Sequence, residues 1–247
     1  MDRARRAGFA ALVVTMDVQT TGDRRRERRF GLSPPLRLDR RTVARMAPFA
    51  AVRLRWLLDQ AGDGFHLELV NAAGLMAGDR PMSAEEALLQ WLASPPTWED
   101  VARLGELFGG PVLAKGILSA DDARRAVDAG VSGVVVSNHG GRQLDGVPSS
   151  FEALAEVVRA VGAETEVLVD GGIRSGADVV RAVALGARAA MVGRPWAYGL
   201  CAAGRPGVDR VLSLLRQDID RTMRLVGATS VAGIDAGLVD LPGAWPR

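Results

Sequence analysis

Short apolar runs without polar alternation are the clearest pattern along the 247-residue chain. Runs of this kind are typical of parallel strands that are buried on both faces of a sheet. From the second run onward, each is followed by apolar positions at helical spacing, so the pattern predicts an α/β fold built from parallel βα units. The five predicted strands are Ala11–Met16, Pro111–Ala114, Gly133–Val136, Val167–Val169 and Ala189–Val192.

Hydroxyl residues mark where the predicted helices begin, because their side chains accept hydrogen bonds from the first backbone N–H groups of a helix. The segment that starts at Thr97 has an acid three residues later, which indicates a capping box. The longest helical pattern has no such cap and places its apolar residues on one side. The predicted starts are Ser119, Ser149 or Ser150, Ser175 and Thr97, and the long helix is predicted at Gly207–Val226.

The alternation of strands and helices stops between residues 18 and 110. Helical spacing is present at Thr42–Gln60 and Ala84–Ala93, and we expect a flexible segment near Ala72–Pro81. We interpret 18–110 as a long insertion after the first strand, within a single domain that spans 1–247.

Composition is that of a globular protein with one sizeable core, since 48% of the residues are hydrophobic. A single cysteine excludes an internal disulfide and fits a reducing compartment. There is no apolar run of membrane-spanning length and no secretory leader, so we expect a cytoplasmic protein with no membrane span.

Nearly all the cations are arginines, and Lys115 is the only lysine. This suggests that position 115 needs a compact ammonium group rather than a planar guanidinium. The run Arg24–Arg29 has no interleaved aromatic side chains that would stack on bases, so we do not predict nucleic-acid binding.

Two successive strand-to-helix turns have the composition of a phosphate site. Gly171 and Gly172 follow the fourth predicted strand, with Arg174 close behind, and Gly193 and Arg194 follow the fifth. Glycines allow backbone N–H groups to approach an anion, and a helix N-terminus favours negative charge. Sites after the last two strands of a barrel commonly bind phosphate, so the turns predict a phosphorylated ligand.

A histidine and an arginine lie three residues apart directly after the third predicted strand. His139 and Arg142 are separated by a glycine pair, and the carboxyl ends of parallel strands form the edge where α/β proteins place their sites. A proton acceptor beside a fixed cation suits a substrate whose carboxylate neighbours the reacting atom.

The segment Val136–Asp145 resembles the signature of the FMN-dependent α-hydroxy-acid oxidases and dehydrogenases, which include glycolate oxidase, lactate oxidase, mandelate dehydrogenase and the flavocytochrome lactate dehydrogenases. Three further segments, in the family's order, are similar to its motifs. The resemblance implies a (β/α)8 TIM barrel of the FMN-linked type, of which this chain looks like the C-terminal part, with about the last five βα units. The further segments are Ala11–Asp17, Pro111–Leu118 and Asp170–Pro195, the last through its two ends Asp170–Gly176 and Met191–Pro195.

The resemblance implies roles for individual residues. His139 matches the base that contacts the substrate, Asp17 the acid that orients it, and Arg142 the main carboxylate ligand. Arg24 is the best match to a second carboxylate ligand, with Arg25 and Arg26 as alternatives. The residues that the resemblance assigns to FMN are Thr15, Lys115, Ser137, Asp170, Gly171, Gly172, Ile173, Arg174, Gly193 and Arg194.

The reaction implied is oxidation of an L-2-hydroxy acid to the 2-keto acid with FMN as cofactor and no metal. The sequence leaves open a hydride or a carbanion mechanism, and oxygen, a quinone or a cytochrome as electron acceptor. Alternatives are an FMN-barrel oxidoreductase with another substrate, or a non-catalytic remnant. The family's first three strands carry further flavin contacts that have no match here. We therefore expect the chain alone to bind FMN weakly, and the full-length protein to be a homo-oligomer.

Overall fold

The computed structural model describes residues 2–20, 22–23, 25, 29, 40–62, 64, 76–77, 80–81, 90 and 92–240. The chain divides into two compact units, one formed by Met1–Gln19 with Pro96–Arg247 and the other by Thr20–Pro95. The predicted division into a single domain with an insertion at 18–110 stays a prediction.

The first unit is built on a five-stranded sheet in which all neighbouring strands are parallel and follow chain order. This confirms the predicted α/β fold and the predicted order of strands. The strands are β1 (Leu12–Thr15), β2 (Val112–Ile117), β3 (Gly133–Val136), β4 (Glu166–Val169) and β5 (Ala189–Ala190).

Helices alternate with these strands. In chain order the helices of the described residues are α1 (Asp2–Arg6), α2 (Arg40–Ala51), α3 (Leu54–Gly62), α4 (Trp98–Phe108), α5 (Ala120–Asp128), α6 (Ser150–Val161), α7 (Gly176–Ala184) and α8 (Arg194–Leu225). Two short 3-10 turns, Val231–Gly233 and Ala236–Leu238, follow α8.

β3 keeps its predicted bounds, β1 and β4 differ from the prediction by one residue at one or both ends, and the larger differences are in β2 and β5. β2 continues to Ile117, so Lys115 lies inside the strand rather than after its end. The pairing register of β2 with β3 shifts between Lys115 and Ile117. Gly116, which has a φ of 100°, is the extra residue of a β-bulge at this point. β5 contains only Ala189–Ala190, so Met191 and Val192 belong to the turn that follows it.

The predicted N-caps are confirmed. The side chains of Thr97, Ser119, Ser149 and Ser175 each accept a hydrogen bond from the first turn of the following helix. The helix predicted at Gly207–Val226 corresponds to the part of α8 after a break at Ala203 and Gly204, and the prediction missed the part before the break, which begins at Arg194. Gly204 interrupts the helical spacing of the apolar residues, so the sequence pattern did not show the part of the helix before it.

The core lies between the sheet and the helices that cover it. Strand side chains alternate between two faces, and one face of each strand supplies the buried apolar cluster. On the other face, Thr15, Lys115 and Val135 are neighbours in register across β1, β2 and β3. The sheet therefore brings the polar side chains of Thr15 and Lys115, on two neighbouring strands, to the edge formed by their carboxyl ends.

In the second unit, α2 and α3 replace the single helix predicted at Thr42–Gln60. The guanidinium of Arg53 donates to the backbone oxygen of Phe49 at 3.0 Å, where the first helix ends. Met76–Ala77 pairs antiparallel with Arg80–Pro81, inside the segment predicted to be flexible. Most of the helix predicted at Ala84–Ala93 lies outside the described residues.

The membrane prediction was tested on the helices of the described part of the chain. None of them combines the length and the apolar composition needed to cross a bilayer.

Candidate active site

The carboxyl ends of β2 to β5 surround a cavity of about 370 Å³. It brings together side chains from four segments that are far apart in sequence. The predicted site residues that line it are Lys115, His139, Arg142, Asp170, Gly171, Gly172, Ile173, Arg174, Gly193 and Arg194.

A left-handed turn directs the chain at the end of β3. His139 has a φ of 56°, and it is the only non-glycine residue with a positive φ in the part of the chain that the structure describes. Gly140 and Gly141 continue the turn with φ values of 66° and 72°. The hydroxyl of the buried Ser137 accepts a hydrogen bond from the backbone N–H of His139 at 3.0 Å, which stabilises this uncommon conformation.

His139 is paired with an acid from the end of β1. Its Nδ1 lies 3.2 Å from Oδ1 of Asp17, and the side chains are 32% and 15% exposed. Gln143 donates to the backbone oxygen of Asp17 at 3.1 Å, which ties the turn to β1 a second time. An imidazole that donates from Nδ1 has its lone pair at Nε2, so the pair can accept a proton there.

Gly116 provides the space for Asp17. A Cβ atom at position 116 would lie 2.5 Å from Cγ and 2.6 Å from Cβ of Asp17, and the φ of 100° is one that side chains rarely adopt. The bulge in β2 therefore permits the approach of the acid to the histidine.

Lys115 and Asp170 form an ion pair on the floor of the cavity. The lysine Nζ lies 2.9 Å from Oδ2 of Asp170 and donates to the hydroxyl of Ser137 at 2.9 Å. The other oxygen of Asp170, Oδ1, is buried and has no hydrogen-bond partner among the described residues. Buried carboxylate oxygens are normally hydrogen-bonded, so this atom fits a ligand that donates a hydroxyl.

The two glycine-rich turns meet at the same cavity. At Gly171 a Cβ atom would lie 2.9 Å from the hydroxyl of Ser150, whereas the position above Gly172 is open. Arg174 precedes α7, and Arg194 begins α8, where it donates to the backbone oxygen of Gly140 at 3.2 Å. Carboxylates of Asp178 and Asp218 already occupy the N-terminus of α7. The N-terminus of α8, which has no side-chain cap, can bind a phosphate together with the two guanidinium groups.

Four predicted residues are not placed at this cavity. Thr15 and Ser137 do not line it, so their contact with a flavin stays a prediction. Asp17 reaches it through His139 and itself lines a neighbouring cavity of about 360 Å³. Arg24 lies outside the described residues.

Sequence reasoning missed three residues that build the site. Gln143 ties the turn to Asp17, and Ser150 accepts from the backbone N–H of Asn138 at 3.2 Å. The side chain of Asn138 accepts in turn from the backbone N–H of Gly141 at 3.3 Å. Gln143 and Asn138 lie in the same sequence motif as His139, and membership of that motif was the signal that could have identified them. Ser150 was predicted only as a possible helix start.

Comparison with known proteins identifies the family. A family model described as FMN-dependent dehydrogenase matches residues 1–241. Pre-mycofactocin synthase of Mycobacterium tuberculosis is 44% identical over 100% of this chain and 62% of its own length. L-lactate dehydrogenase of Pseudomonas syringae pv. syringae is 40% identical over 97% of this chain and 62% of its own length.

Solved structures give the same result. The monotopic membrane protein (S)-mandelate dehydrogenase superposes with a TM-score of 0.84 and 36% identity over 96% of this chain. A mandelate oxidase structure gives a TM-score of 0.69 and 39% identity over 95% of this chain. The chain spans 62% of the first structure and 56% of the second. The chain belongs to the FMN-dependent dehydrogenase family, as its motifs predicted.

Proposed function

We propose that the protein oxidises an L-2-hydroxy acid to the 2-keto acid, with FMN bound in the cavity at the carboxyl ends of the strands. The observation that carries this proposal is the convergence of the His139–Asp17 pair with Arg142 on the cavity that also contains the Lys115–Asp170 ion pair. One cavity therefore combines a base, a cation that can bind a carboxylate and a site for the cofactor.

The residues present fit FMN. The unpartnered oxygen of Asp170 would accept a hydrogen bond from a hydroxyl of the ribityl chain, and Lys115 would place a positive charge beside the bound group. Arg174 and Arg194, with the N-terminus of α8, would bind the phosphate. When bound, FMN supplies the acceptor for the two electrons of the oxidation.

The chain's own groups bind the substrate and move its proton. Arg142 binds the substrate carboxylate, together with Arg24 as predicted from sequence. His139 accepts a proton of the substrate at Nε2, and the carboxylate of Asp17 stabilises the imidazolium that results. The substrate loses two electrons and two protons. His139 would hold one proton, and FMN, when bound, would accept the two electrons and the second proton.

Replacement of the two histidines tests the proposed base, because the chain contains only His139 and His66. In protein loaded with FMN under anaerobic conditions, His139→Gln should slow flavin reduction by L-lactate, glycolate or L-mandelate by about a hundredfold or more, the usual contribution of a general base. FMN affinity should stay within a factor of about two. His66→Gln is the matched control, and its flavin should be reduced as fast as that of the wild type. Equal reduction rates in both variants would refute the role of His139.

A second candidate is the activity for which pre-mycofactocin synthase is named, since that relative has the higher identity and matches the full chain. The same anaerobic experiment separates the two. Reduction by the L-2-hydroxy acids that is fast in wild type and lost in His139→Gln supports the first function. FMN binding with no reduction by any of these acids would contradict the first function.

A further inference from the structure

The second half of α8 packs directly on the glycine-rich turn that carries Arg174. A Cβ atom at Gly176, the first residue of α7, would overlap the backbone N of Ile219 and the carbonyl carbon of Asp218. The side chain of Asp218 reaches across this contact, and its Oδ2 accepts a hydrogen bond from the backbone N–H of Gly176 at 2.6 Å. The turn is therefore attached to α8 by close backbone packing and by a charge-assisted hydrogen bond.

Two carboxylates hold this turn, and they hold it in different ways. Asp178 lies within α7, and its Oδ2 accepts from the backbone N–H groups of Arg174 and Ser175, at 3.0 Å each. These bonds fix the shape of the turn, but they connect it only to its own helix. Asp218 is 42 residues from Gly176 in sequence. Its hydrogen bond therefore fixes where the turn lies relative to α8.

α8 also carries the other half of the phosphate site. It begins at Arg194 and is broken near Gly204. Its two halves pack against each other, because a Cβ atom at Gly199 would lie 2.6 Å from the backbone oxygen of Gly207, whereas eight residues of a straight helix span about 12 Å. One helix therefore starts at one arginine of the phosphate site and, through Asp218, holds the turn that carries the other.

We propose that Asp218 is a positioning residue for the phosphate of the cofactor. It sets the position of Arg174 relative to Arg194, so that both guanidinium groups contact one phosphate. The inference rests on the proposed function, in which these arginines bind the FMN phosphate. Arg174 and Pro195 line both the active-site cavity and a second cavity of about 380 Å³, which Asp218 also lines. A turn that Asp218 no longer holds has room to move into this second cavity, and that movement takes Arg174 away from the phosphate.

The charge of Asp218 acts in the opposite direction to its hydrogen bond. A carboxylate near a bound phosphate repels it, so loss of the charge alone should strengthen phosphate binding. Loss of the hydrogen bond releases the turn and should weaken phosphate binding. Asp218→Asn removes the charge but keeps an oxygen that can accept from Gly176, whereas Asp218→Ala removes both. The two substitutions therefore separate the effect of position from the effect of charge.

Titration of the 247-residue chain with FMN and with riboflavin tests the proposal, because the ratio of the two dissociation constants reports on the phosphate. Asp218→Ala should lower the preference for FMN about tenfold or more, the contribution of one hydrogen bond to a charged group. Asp218→Asn should keep the preference or raise it by no more than about fivefold, the usual limit for a charge effect at a partly exposed site. Riboflavin should bind equally well to both variants, since it has no phosphate.

Asp220→Ala is the matched control. Asp220 lies on the same half of α8 and pairs with the exposed Arg224 at 3.0 Å, so its loss should leave the preference for FMN unchanged. Where Asp218→Ala does not fold in a urea titration, Asp218→Ser takes its place. The serine hydroxyl is one bond closer to the backbone than the carboxylate oxygens and leaves Gly176 without its acceptor, so the same loss of preference is expected.

Three results would overturn the proposal. One is a preference for FMN in Asp218→Ala that equals that of the wild type. Another is an equal change of the preference in Asp218→Ala and Asp218→Asn, which would assign the effect to charge. The third is an equal loss in Asp220→Ala, which would assign it to the helix in general. A wild-type chain that binds FMN and riboflavin equally would contradict the proposed phosphate site itself, and this inference with it.

Discussion

Gly116→Ala is expected to disrupt the pairing of Asp17 with His139 while leaving the rest of the sheet in place. The new Cβ would lie 2.5 Å from Cγ, 2.6 Å from Cβ and 2.7 Å from Oδ1 of Asp17. Because these atoms are close to the backbone of Asp17, rotation of its side chain does not relieve all three contacts. The acid must move, and the 3.2 Å separation from Nδ1 of His139 is lost.

Two physical effects set the size of the change. A non-glycine residue at a φ of 100° is strained by about 1–3 kcal/mol, and overpacking against Asp17 adds about 1–3 kcal/mol. Gly130→Ala is the matched control, because Gly130 also has a positive φ of 81° but a Cβ there meets nothing within 4 Å. The difference in the free energy of unfolding between the two variants isolates the contribution of the contact with Asp17.

Two measurements report on the variants. Urea unfolding should show Gly116→Ala to be less stable than Gly130→Ala by about 1–3 kcal/mol, the overpacking contribution. In Asp17→Gly protein this difference should disappear, because the crowded atoms are gone. The ring N–H signal of His139 in proton NMR, assigned with His66→Gln, should be protected from exchange in wild type and Gly130→Ala and lost in Gly116→Ala.

Equal stability of the two alanine variants would refute this reasoning. It would show that the cost at position 116 comes from backbone strain alone. A protected His139 ring N–H in Gly116→Ala would show that Asp17 keeps its position despite the added methyl group.

Two further predictions concern the turn after β3 and the capping of α6. Ser137→Ala should destabilise the protein by about 1–3 kcal/mol in urea unfolding, because the backbone N–H of His139 and the ammonium of Lys115 lose a shared acceptor; an unchanged unfolding midpoint would contradict this. Hydrogen bonds from the backbone and hydroxyl of Ser149 hold the pKa of Glu152 below its ordinary value. The stabilisation by Glu152 is therefore present above the unfolded-state pKa, and it is lost as pH falls through the lower folded-state pKa. Glu152→Gln should therefore be less stable than wild type at neutral pH, and the gap should close on acidification; a gap that does not change with pH in thermal unfolding would contradict this.

The order and direction of the strands could be predicted from the sequence because buried parallel strands appear as continuous apolar runs. The limits of β2 could not, since the bulge at Gly116 depends on its packing against Asp17 and not on local composition. The sequence pattern did not predict the break between α2 and α3, because the apolar Val52 follows directly after the end of α2.

The candidate site was predicted as a set of residues, but not as a network. The motifs named His139, Asp17, Lys115 and Asp170 separately. That the hydroxyl of Ser137 joins Lys115 to the backbone of His139 depends on two strands lying side by side, which single-sequence patterns do not show. Arg24 was selected by spacing alone, in a segment that lies largely outside the described residues.

The central claim is that the cavity at the carboxyl ends of the strands binds FMN through its phosphate at Arg174 and Arg194. Titration of the chain with FMN and with riboflavin, which lacks the phosphate, tests it most directly. If the two arginines together contribute about 3 kcal/mol, FMN should bind roughly 150-fold more tightly than riboflavin. Arg174→Ala/Arg194→Ala should abolish most of that preference and leave riboflavin binding unchanged. Equal dissociation constants for the two flavins in the wild-type chain would contradict the assignment of the site.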